Sequence, residues 1–463
     1  MRIELKHIWQ RVRHSAMLYG AAGTAVRVGG NVLLLPLVLK TLSAPEIALW
    51  WVFLALGGLA NLADFGFGQA ISRVYSYLWA GADDFDVEGI RPLPDQATPN
   101  HSRLRQLCAT SRLLYTRLAW GAVAVLALVG SLIVWPKVQA SVQPWPTWVA
   151  WASYVLAVGY SLGTSHWVFA CQGTNRVREC QESILWSGVI YFVSAAILLL
   201  SGFGLFSMVA ATFLRGWLGR WLCVRAFLRI VPEHDGSMSK PDLSMLKRLW
   251  PNAWKFGVLS LGAYLIFNSG VLVCSHFLGD EVTASYGLTT QVGTFLASLS
   301  ALWLGVKWPH LTILRTQGKV QEMAVVFARR LTMMMATFAF LAAILVLFGN
   351  RLIEWKGANT RLLATPYLVV YLLYLWQQQF YAQFGTLTFT ENVVPFYRIS
   401  LFTGLGLTVL SVAMTVWFGL WGLVLAPLIA TLACSSWYPV WRGFRGQPLS
   451  VPQFLRAGLV GHL

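Results

Sequence analysis

Long apolar runs follow one another along nearly the whole chain and leave few folds open to it. A helix needs about 20 residues to cross the hydrocarbon core of a bilayer, and many of these runs reach that length. Only 11% of the 463 residues are charged and 57% are hydrophobic, whereas a soluble domain carries about 25% charged residues. The mean hydropathy is +0.59. We therefore predict an all-α protein that passes through a membrane many times.

The spacing of the apolar runs predicts twelve transmembrane helices. The second run stays apolar from about Glu46 to Ala80, which is longer than one crossing, so it must tilt, bend or project from the membrane. Gly66 and Gly68 mark the expected bend. The expected spans are residues 15–40, 46–80, 107–135, 148–170, 183–200, 205–228, 254–278, 283–308, 324–348, 366–389, 394–416 and 420–440.

The net charge of +17 is accounted for by the positive-inside rule. When both termini are placed in the cytosol, most Lys and Arg residues fall in cytosolic loops or at cytosolic helix ends. The charge therefore predicts cytosolic termini and requires no nucleic-acid partner. The basic residues on the outer side are Lys40, Lys137, Arg351, Lys356 and Arg361.

The polar loop between the sixth and seventh helices divides the chain into two halves of six helices each. LKTLSAPEIALWW around Leu39 is echoed by HFLGDEVTASYG around His276. An even number of helices in each half gives both halves the same orientation, which predicts two parallel lobes around a central cavity. The expected parts are an N-terminal lobe at 1–231, a cytosolic inter-lobe loop at 232–251, a C-terminal lobe at 252–441 and a cytosolic tail at 442–463.

Short stretches of the chain resemble a known transporter family. The stretches are PLVLKTLSAPEIALWW after the first helix, ADFGFGQAISR at the end of the second, and CQGTNRVRE after the fourth. They resemble the bacterial polysaccharide-type flippases of the MOP exporter superfamily. The start of the second half, SLGAYLIFNSGVLVCSHFLGDEVTASYGLTTQV, is similar to the same family.

The resemblance implies a MATE-like transporter, not an enzyme, in the bacterial inner membrane. It implies that alternating access carries an undecaprenyl-pyrophosphate-linked oligosaccharide, an O-antigen or exopolysaccharide repeat unit, from the cytoplasmic to the periplasmic leaflet. An ion gradient or the membrane potential would drive the transport. The implied partners are the lipid-linked oligosaccharide, the bilayer and a polysaccharide polymerase. No cofactor is expected, and no metal-binding motif is present.

Arginines in the first half are the candidates for binding the pyrophosphate, because a guanidinium fork matches phosphate oxygens and stays charged. Arg27 lies some 18 Å along its helix, near mid-bilayer, and Arg215 lies at a similar depth. Arg220 follows Arg215 by about 140° of helical turn, so the two are not expected to share a face. Arg73 belongs to the basic cytosolic rim. Alternatively, Arg27 is neutralised within the protein and Arg220 snorkels to the interface.

Asp64 is the acidic candidate inside the apolar runs of the first half. It either pairs with an arginine or caps the helix break at Gly66, or it titrates as a coupling-ion site. In the second half, amide and aromatic side chains suit sugar hydroxyls and rings, but they equally suit helix packing. These possible sugar contacts are Gln378, Gln379, Gln383, Tyr374 and Asn268.

Other functions stay open on the residues alone. A cation-coupled multidrug exporter of the same superfamily would favour acidic residues in its cavity, and the chain offers Asp64 against several arginines. The third alternative is a membrane polysaccharide polymerase or ligase, and such an enzyme is expected to hold its catalytic groups on a large outer loop. The longest outer loops expected here, 136–147 and 349–365, are short.

Overall fold

The structure is a computed structural model, and it is helical, without β-strands, over the residues that it describes. Within those residues, six helical segments are long and apolar enough to cross a membrane. The remaining predicted spans form helices too. The predicted all-α, multi-pass membrane class is therefore confirmed. The described residues are 16–82, 98–139, 141, 143–231, 240–305, 307–316, 318–355, 360–389, 396–445 and 450–460.

The first compact unit comprises Met1–Leu42 and Phe53–Ser260. Its described helices are α1 (Ala16–Thr41), most of α2 (Ala44–Leu62), α3 (Phe67–Trp79), α4 (His101–Val125), α5 (Ser131–Gln139), α6 (Pro144–Thr164), α7 (His166–Gly173), α8 (Val177–Leu200), α9 (Leu205–Leu228) and the start of α10 (Leu243–Phe277). Inside this unit α1 packs on α8, α8 on α9, α9 on α6, and α6 on α4. A π-helical turn at Leu126–Gly130 joins α4 to α5.

The second compact unit comprises Ser43–Val52 and Leu261–Leu463. Besides parts of α2 and α10, its described helices are α11 (Asp280–Gly305), α12 (Trp308–Thr316), α13 (Val320–Trp355), α14 (Thr365–Phe389), α15 (Tyr397–Phe418), α16 (Leu420–Ala430), α17 (Trp437–Arg445) and α18 (Val451–Val460). Here α11 packs on α13 and α14, α15 on α16, and α14 on α16 and α17.

Short polar signals define where the helices start. The backbone N–H and hydroxyl of Ser43 donate to Glu46 Oε2, at 2.9 and 2.8 Å, ahead of α2. This pairing is half of a capping box. At the start of α10, Asp242 Oδ1 accepts from the backbone N–H and the hydroxyl of Ser244, at 2.9 and 2.6 Å. These hydrogen bonds hold the pKa of Asp242 below its usual range.

The predicted domain boundaries differ from the units of the structure. The compact units divide at Ser260, inside α10, and not within the 232–251 loop. Helix α10 already begins at Leu243, so the second part of that predicted loop is helical, whereas residues 232–239 lie outside the described part. The reason is local, because the cap at Asp242 and the polar run that follows it support a helix before the apolar span begins.

Part of the predicted cytosolic tail at 442–463 is helical and packed, and its place in the cytosol stays a prediction. Helix α18 packs on α13, and its Phe454 and Ala457 are buried in a cluster with Met323, Phe327 and Phe384. The backbone N–H and hydroxyl of Ser450 both donate to Gln453 Oε1 at 3.0 Å, which caps the helix. An amphipathic face therefore makes these C-terminal residues part of the second unit.

Two glycines allow close packing between α10 and α15 in the second unit. A Cβ atom on Gly262 would lie 2.4 Å from the backbone carbon of Ser400, and one on Gly404 would lie 2.7 Å from the carbonyl oxygen of Gly262. Small residues at helix interfaces let two membrane helices approach closely. The contact therefore depends on the absence of side chains at both positions.

Candidate functional site

The second membrane helix is broken in the first unit, where α2 gives way to α3 over residues 63–66. Phe65 and Gly66 adopt positive φ angles of 45° and 73°. This conformation suits Gly66 and is uncommon for a bulky residue such as Phe65. The bend predicted from Gly66 and Gly68 is therefore present, and we refer to residues 63–66 as the joint.

Asp64 caps the helix that follows the joint. Its Oδ1 accepts from the backbone N–H of Gly68 at 3.2 Å and from the hydroxyl of Tyr115 on α4, and its backbone carbonyl accepts from the N–H of Phe67 at 2.8 Å. Tyr115 is fully buried. The carboxylate is thus held by a helix terminus and by a neighbouring helix, which is the geometry of the capping alternative.

The bond between Asp64 and Tyr115 leads to a test of the cap. We expect Tyr115→Phe to lower the free energy of unfolding by about 1.5–3 kcal/mol, because a buried bond to a charged group is lost. Thermal unfolding of the purified protein measures the change. In a double-mutant cycle with Asp64→Asn, the two losses should be less than additive. Strict additivity would show that the two side chains do not stabilise each other.

The joint packs against the start of α10 within the first unit. A Cβ on Gly66 would lie 2.3 Å from Cβ of Phe256 and 3.0 Å from the carbonyl oxygen of Ala253. A Cβ on Gly257 would in turn lie 3.1 Å from Cα of Phe65. The strained backbone of the joint is therefore held by close contact with α10.

Arg215 and Arg220 are both exposed on α9 but contact different helices. The guanidinium of Arg215 lies 5.9 Å from the ring centre of Tyr191 on α8. The guanidinium of Arg220 lies 5.6 Å from the ring centre of Tyr160 on α6, and its Nη1 donates to the Tyr160 hydroxyl at 3.2 Å. This divergence follows from the helical offset of about 140° between the two positions.

Arg220 lines a pocket of about 420 Å³ that is built wholly from the first unit. Its walls come from α4, α6, α7 and α9, and Arg112 supplies a second guanidinium. Among the lining residues that the structure describes, none carries a carboxylate. Neither arginine forms a salt bridge within the described part of the chain. The polar lining side chains are Arg112, Thr116, Tyr160, Thr164, His166 and Arg220. We call this space the arginine pocket.

The structure describes the side chain of Arg73 but not that of Arg27. Arg73 is exposed on α3. Arg27 falls within α1, but its side chain lies outside the described residues. A binding role for each of the four predicted arginines therefore stays a prediction.

The predicted sugar contacts lie in the second unit and differ in exposure. Gln378, Gln379 and Gln383 are half-buried on α14, whereas Tyr374 is only 3% exposed and packs beside Tyr371. Asn268 on α10 is half-buried, and its amide donates to the carbonyl of Tyr264 at 3.4 Å. Tyr374 is thus placed in the interior of the unit, and the sugar role of the five residues stays a prediction.

Gln377 has a structural partner that sequence reasoning could not locate. Its amide donates to the hydroxyl of Ser436, and its carbonyl oxygen accepts from Thr431 at 3.0 Å. Thr431 begins a π-helical turn at Thr431–Ser435, and Ser436 follows it directly. Gln377 lies 54 and 59 positions away from Thr431 and Ser436 in the chain, so no local sequence pattern indicates these contacts.

Among the residues of the first-unit site, sequence reasoning also missed the roles of Tyr115 and Tyr160. Tyr115 meets Asp64 and Tyr160 meets Arg220 across helices far apart in the chain, and periodicity along one helix carries no such information.

Known structures were compared with this fold. An inward-facing multidrug resistance MATE family transporter of the MOP superfamily matches with a TM-score of 0.61 and 13% identity, over 93% of this chain and 99% of that one. The lipid II flippase MurJ, in an inward closed conformation, matches with a TM-score of 0.61 and 14% identity, over 96% and 90%. The outward-facing form of a MATE transporter matches with a TM-score of 0.56 and 13% identity, over 95% and 99%.

This is the MATE and MurJ transporter fold. The match spans nearly the full length of each chain, so the likeness concerns the whole architecture and not one helical motif. MATE transporters with this fold occur in inward-facing and outward-facing conformations. No protein-family model and no curated protein matches the sequence. The TM-scores of 0.61 show the shared fold, and at identities of 13–14% the cargo has to be argued from the residues.

Proposed function

We propose that this chain is a flippase that moves a polyprenyl-pyrophosphate-linked oligosaccharide from the cytoplasmic to the periplasmic leaflet of a bacterial inner membrane. The fold supports a transporter, and its neighbours include a flippase of a lipid-linked substrate, MurJ. The cargo is a repeat unit of O-antigen or exopolysaccharide type, which is the cargo that the sequence resemblance implies. Both termini lie in the cytosol.

One observation in the first unit supports an anionic cargo most directly. Arg215, Arg220 and Arg73 are exposed, and none of them forms a salt bridge within the described residues. A pyrophosphate head carries negative charge that is costly to bring into a low-dielectric region. Fixed guanidinium groups offset that cost and match the phosphate oxygens in geometry. We assign the deeper steps to Arg27 and Arg215, and the entry to Arg73 and Arg220.

A multidrug exporter is the second candidate, because MATE transporters share the fold at an equal TM-score of 0.61. Cationic drugs call for a free acidic residue along the path. In the first unit, Asp64 already accepts from Gly68 and Tyr115, so it acts as a cap. A drug-resistance assay separates the two candidates, since the flippase proposal expects no change in resistance.

Transport is tested with protein reconstituted in vesicles that contain a fluorescent polyprenyl-pyrophosphate-linked sugar. We expect Arg27→Ala and Arg215→Ala each to slow translocation by roughly ten-fold or more, since each removes a charge-assisted contact to the head. Arg225→Ala is the matched control, because Arg225 also lies on α9, where it stacks on Trp221 at 5.3 Å. Unchanged rates in both test variants would refute the role of these cations.

The driving force can be measured in the same vesicles. Each elementary charge moved across the membrane is worth about 2.3 kcal/mol per 100 mV. An imposed potential should therefore change the rate if net charge moves with the cargo. A rate that depends only on a sodium or proton gradient would instead indicate ion coupling.

A further inference from the structure

The arginine pocket combines two positively charged side chains with several hydroxyl groups. It brings Arg112 of α4 and Arg220 of α9 into one space together with hydroxyl groups from α4 and α6. Tyr160 takes one N–H of Arg220, and a guanidinium has five N–H donors. Most of the donors therefore remain for a ligand, and an anion with several oxygens is the chemistry that satisfies them.

His166 is a further polar residue in the lining of the same pocket. The side chain is 2% exposed, and its Nδ1 lies 2.9 Å from the carbonyl oxygen of Gly163. Because a carbonyl only accepts, Nδ1 carries the proton, and Nε2 of the neutral ring is an acceptor. Within the described residues, Nε2 has no hydrogen-bond partner. The ring is neutral and buried in the wall, so the positive charge of the pocket comes from the two arginines.

The apolar part of the lining faces the outside of the unit. Trp120 and Leu156 line the pocket and are 67% and 59% exposed. Such side chains suit hydrocarbon and not water, and an aromatic ring next to a polar site is typical of the membrane interface. The pocket therefore joins a charged end to an apolar flank.

Helical rise places the pocket at one boundary of the membrane. Trp135 and Trp148, with ring centres 5.7 Å apart, mark the other boundary. Along the helices, Tyr160 lies about 18 Å from Trp148, His166 about 27 Å from it, and Arg112 about 35 Å from Trp135. The hydrocarbon core is about 30 Å thick. The pocket thus reaches the level of the lipid head groups on the basic side, where the positive-inside rule places the cytosol.

We propose that the arginine pocket binds the phosphate head of an anionic lipid taken from that leaflet. Arg112 and Arg220 hold the phosphate oxygens, and the hydrocarbon chains lie along Trp120 and Leu156. A volume of about 420 Å³ is within the range of small-molecule sites. The inference does not depend on which cargo is transported.

Native mass spectrometry of the full chain in a neutral detergent tests the proposal. The probes are phosphatidylglycerol, polyprenyl pyrophosphate, zwitterionic phosphatidylcholine and inorganic pyrophosphate. We expect at least one of the two anionic lipids to bind more tightly than phosphatidylcholine. Arg112→Gln with Arg220→Gln should weaken that binding by roughly ten-fold or more, because two charge-assisted contacts are lost. Arg225→Gln on the same helix should bind as the unaltered protein does.

The relative binding of the four probes either supports or overturns the proposed lipid site. Preference for phosphatidylglycerol supports a site for bilayer lipid, and preference for polyprenyl pyrophosphate supports a site where cargo is loaded. Equal binding of phosphatidylcholine, binding of inorganic pyrophosphate without either lipid, or unchanged binding in the double variant would overturn the proposal. Both arginines are exposed, so the double variant should fold, and its thermal unfolding is measured alongside. Because no transport is measured, the result is separate from that of the flippase assay.

Discussion

Replacing Gly66 by alanine is expected to lower the stability of the folded protein by about 2–5 kcal/mol, the sum of the left-handed backbone penalty and the cost of overpacking. Gly66 has a φ of 73°, and a Cβ there would lie 2.3 Å from Cβ of Phe256 and 3.0 Å from the carbonyl oxygen of Ala253. Neither of these atoms is the flexible end of a side chain, so backbone must move. We also expect transport to fall, because the joint sets the direction of α3.

Gly279→Ala is the control that separates the two causes. Gly279 has a φ of 81°, close to that of Gly66, but nothing lies within 4 Å of the position that a Cβ would take. Gly279→Ala should therefore lower the free energy of unfolding only by the left-handed backbone penalty, about 1–2 kcal/mol. Thermal unfolding followed by size-exclusion chromatography measures both variants. Equal losses would mean that the packing of the joint on α10 contributes nothing.

Gly404→Leu is expected to abolish the folded, monodisperse protein. A Cβ at Gly404 would lie 2.7 Å from the carbonyl oxygen of Gly262 and 2.9 Å from Cβ of Leu265, so a leucine must separate α10 from α15. Overpacking of this kind, against backbone, belongs to the rare class of substitutions that cost more than about 4 kcal/mol. Expression level and chromatographic profile measure the loss.

Gly406→Leu provides the matched control two residues further along α15. Nothing lies within 4 Å of a Cβ at Gly406, so leucine has room there and the helix itself favours leucine over glycine. We expect this variant to be as stable as the unaltered protein or slightly more so. If Gly404→Leu behaved like Gly406→Leu, the close contact between the two helices would be wrong.

The helices were predictable because apolar runs report directly on what lies in a bilayer. The span expected at 205–228 coincides with α9, and the one expected at 15–40 differs from α1 by one residue at each end. The break in the second helix was predictable as well, since Gly66 and Gly68 interrupt an apolar run that is too long for one crossing. These features depend on neighbouring residues only.

The site was predictable only in part, because its contacts join residues far apart in the chain. The sequence made Arg220 a candidate for binding the pyrophosphate, but it could not show that Tyr160 and Arg112 share its pocket. The sequence left three roles open for Asp64, namely pairing, capping and ion coupling, and it could not show that Tyr115, 51 positions away, lies beside the carboxylate. The helical tail was missed for the same reason, since α18 becomes stable only by packing on α13.

The hydrogen bonds of the joint have a mechanical consequence. The backbone N–H groups of Ala63, Phe65 and Phe67 donate to carbonyl groups within three residues, and that of Gly68 donates to the side chain of Asp64. Breaking a helix in hydrocarbon strands backbone donors, which costs several kcal/mol for each unsatisfied group. Here these four donors all have partners within four residues, so the chain changes direction between α2 and α3 and leaves none of the four unpaired.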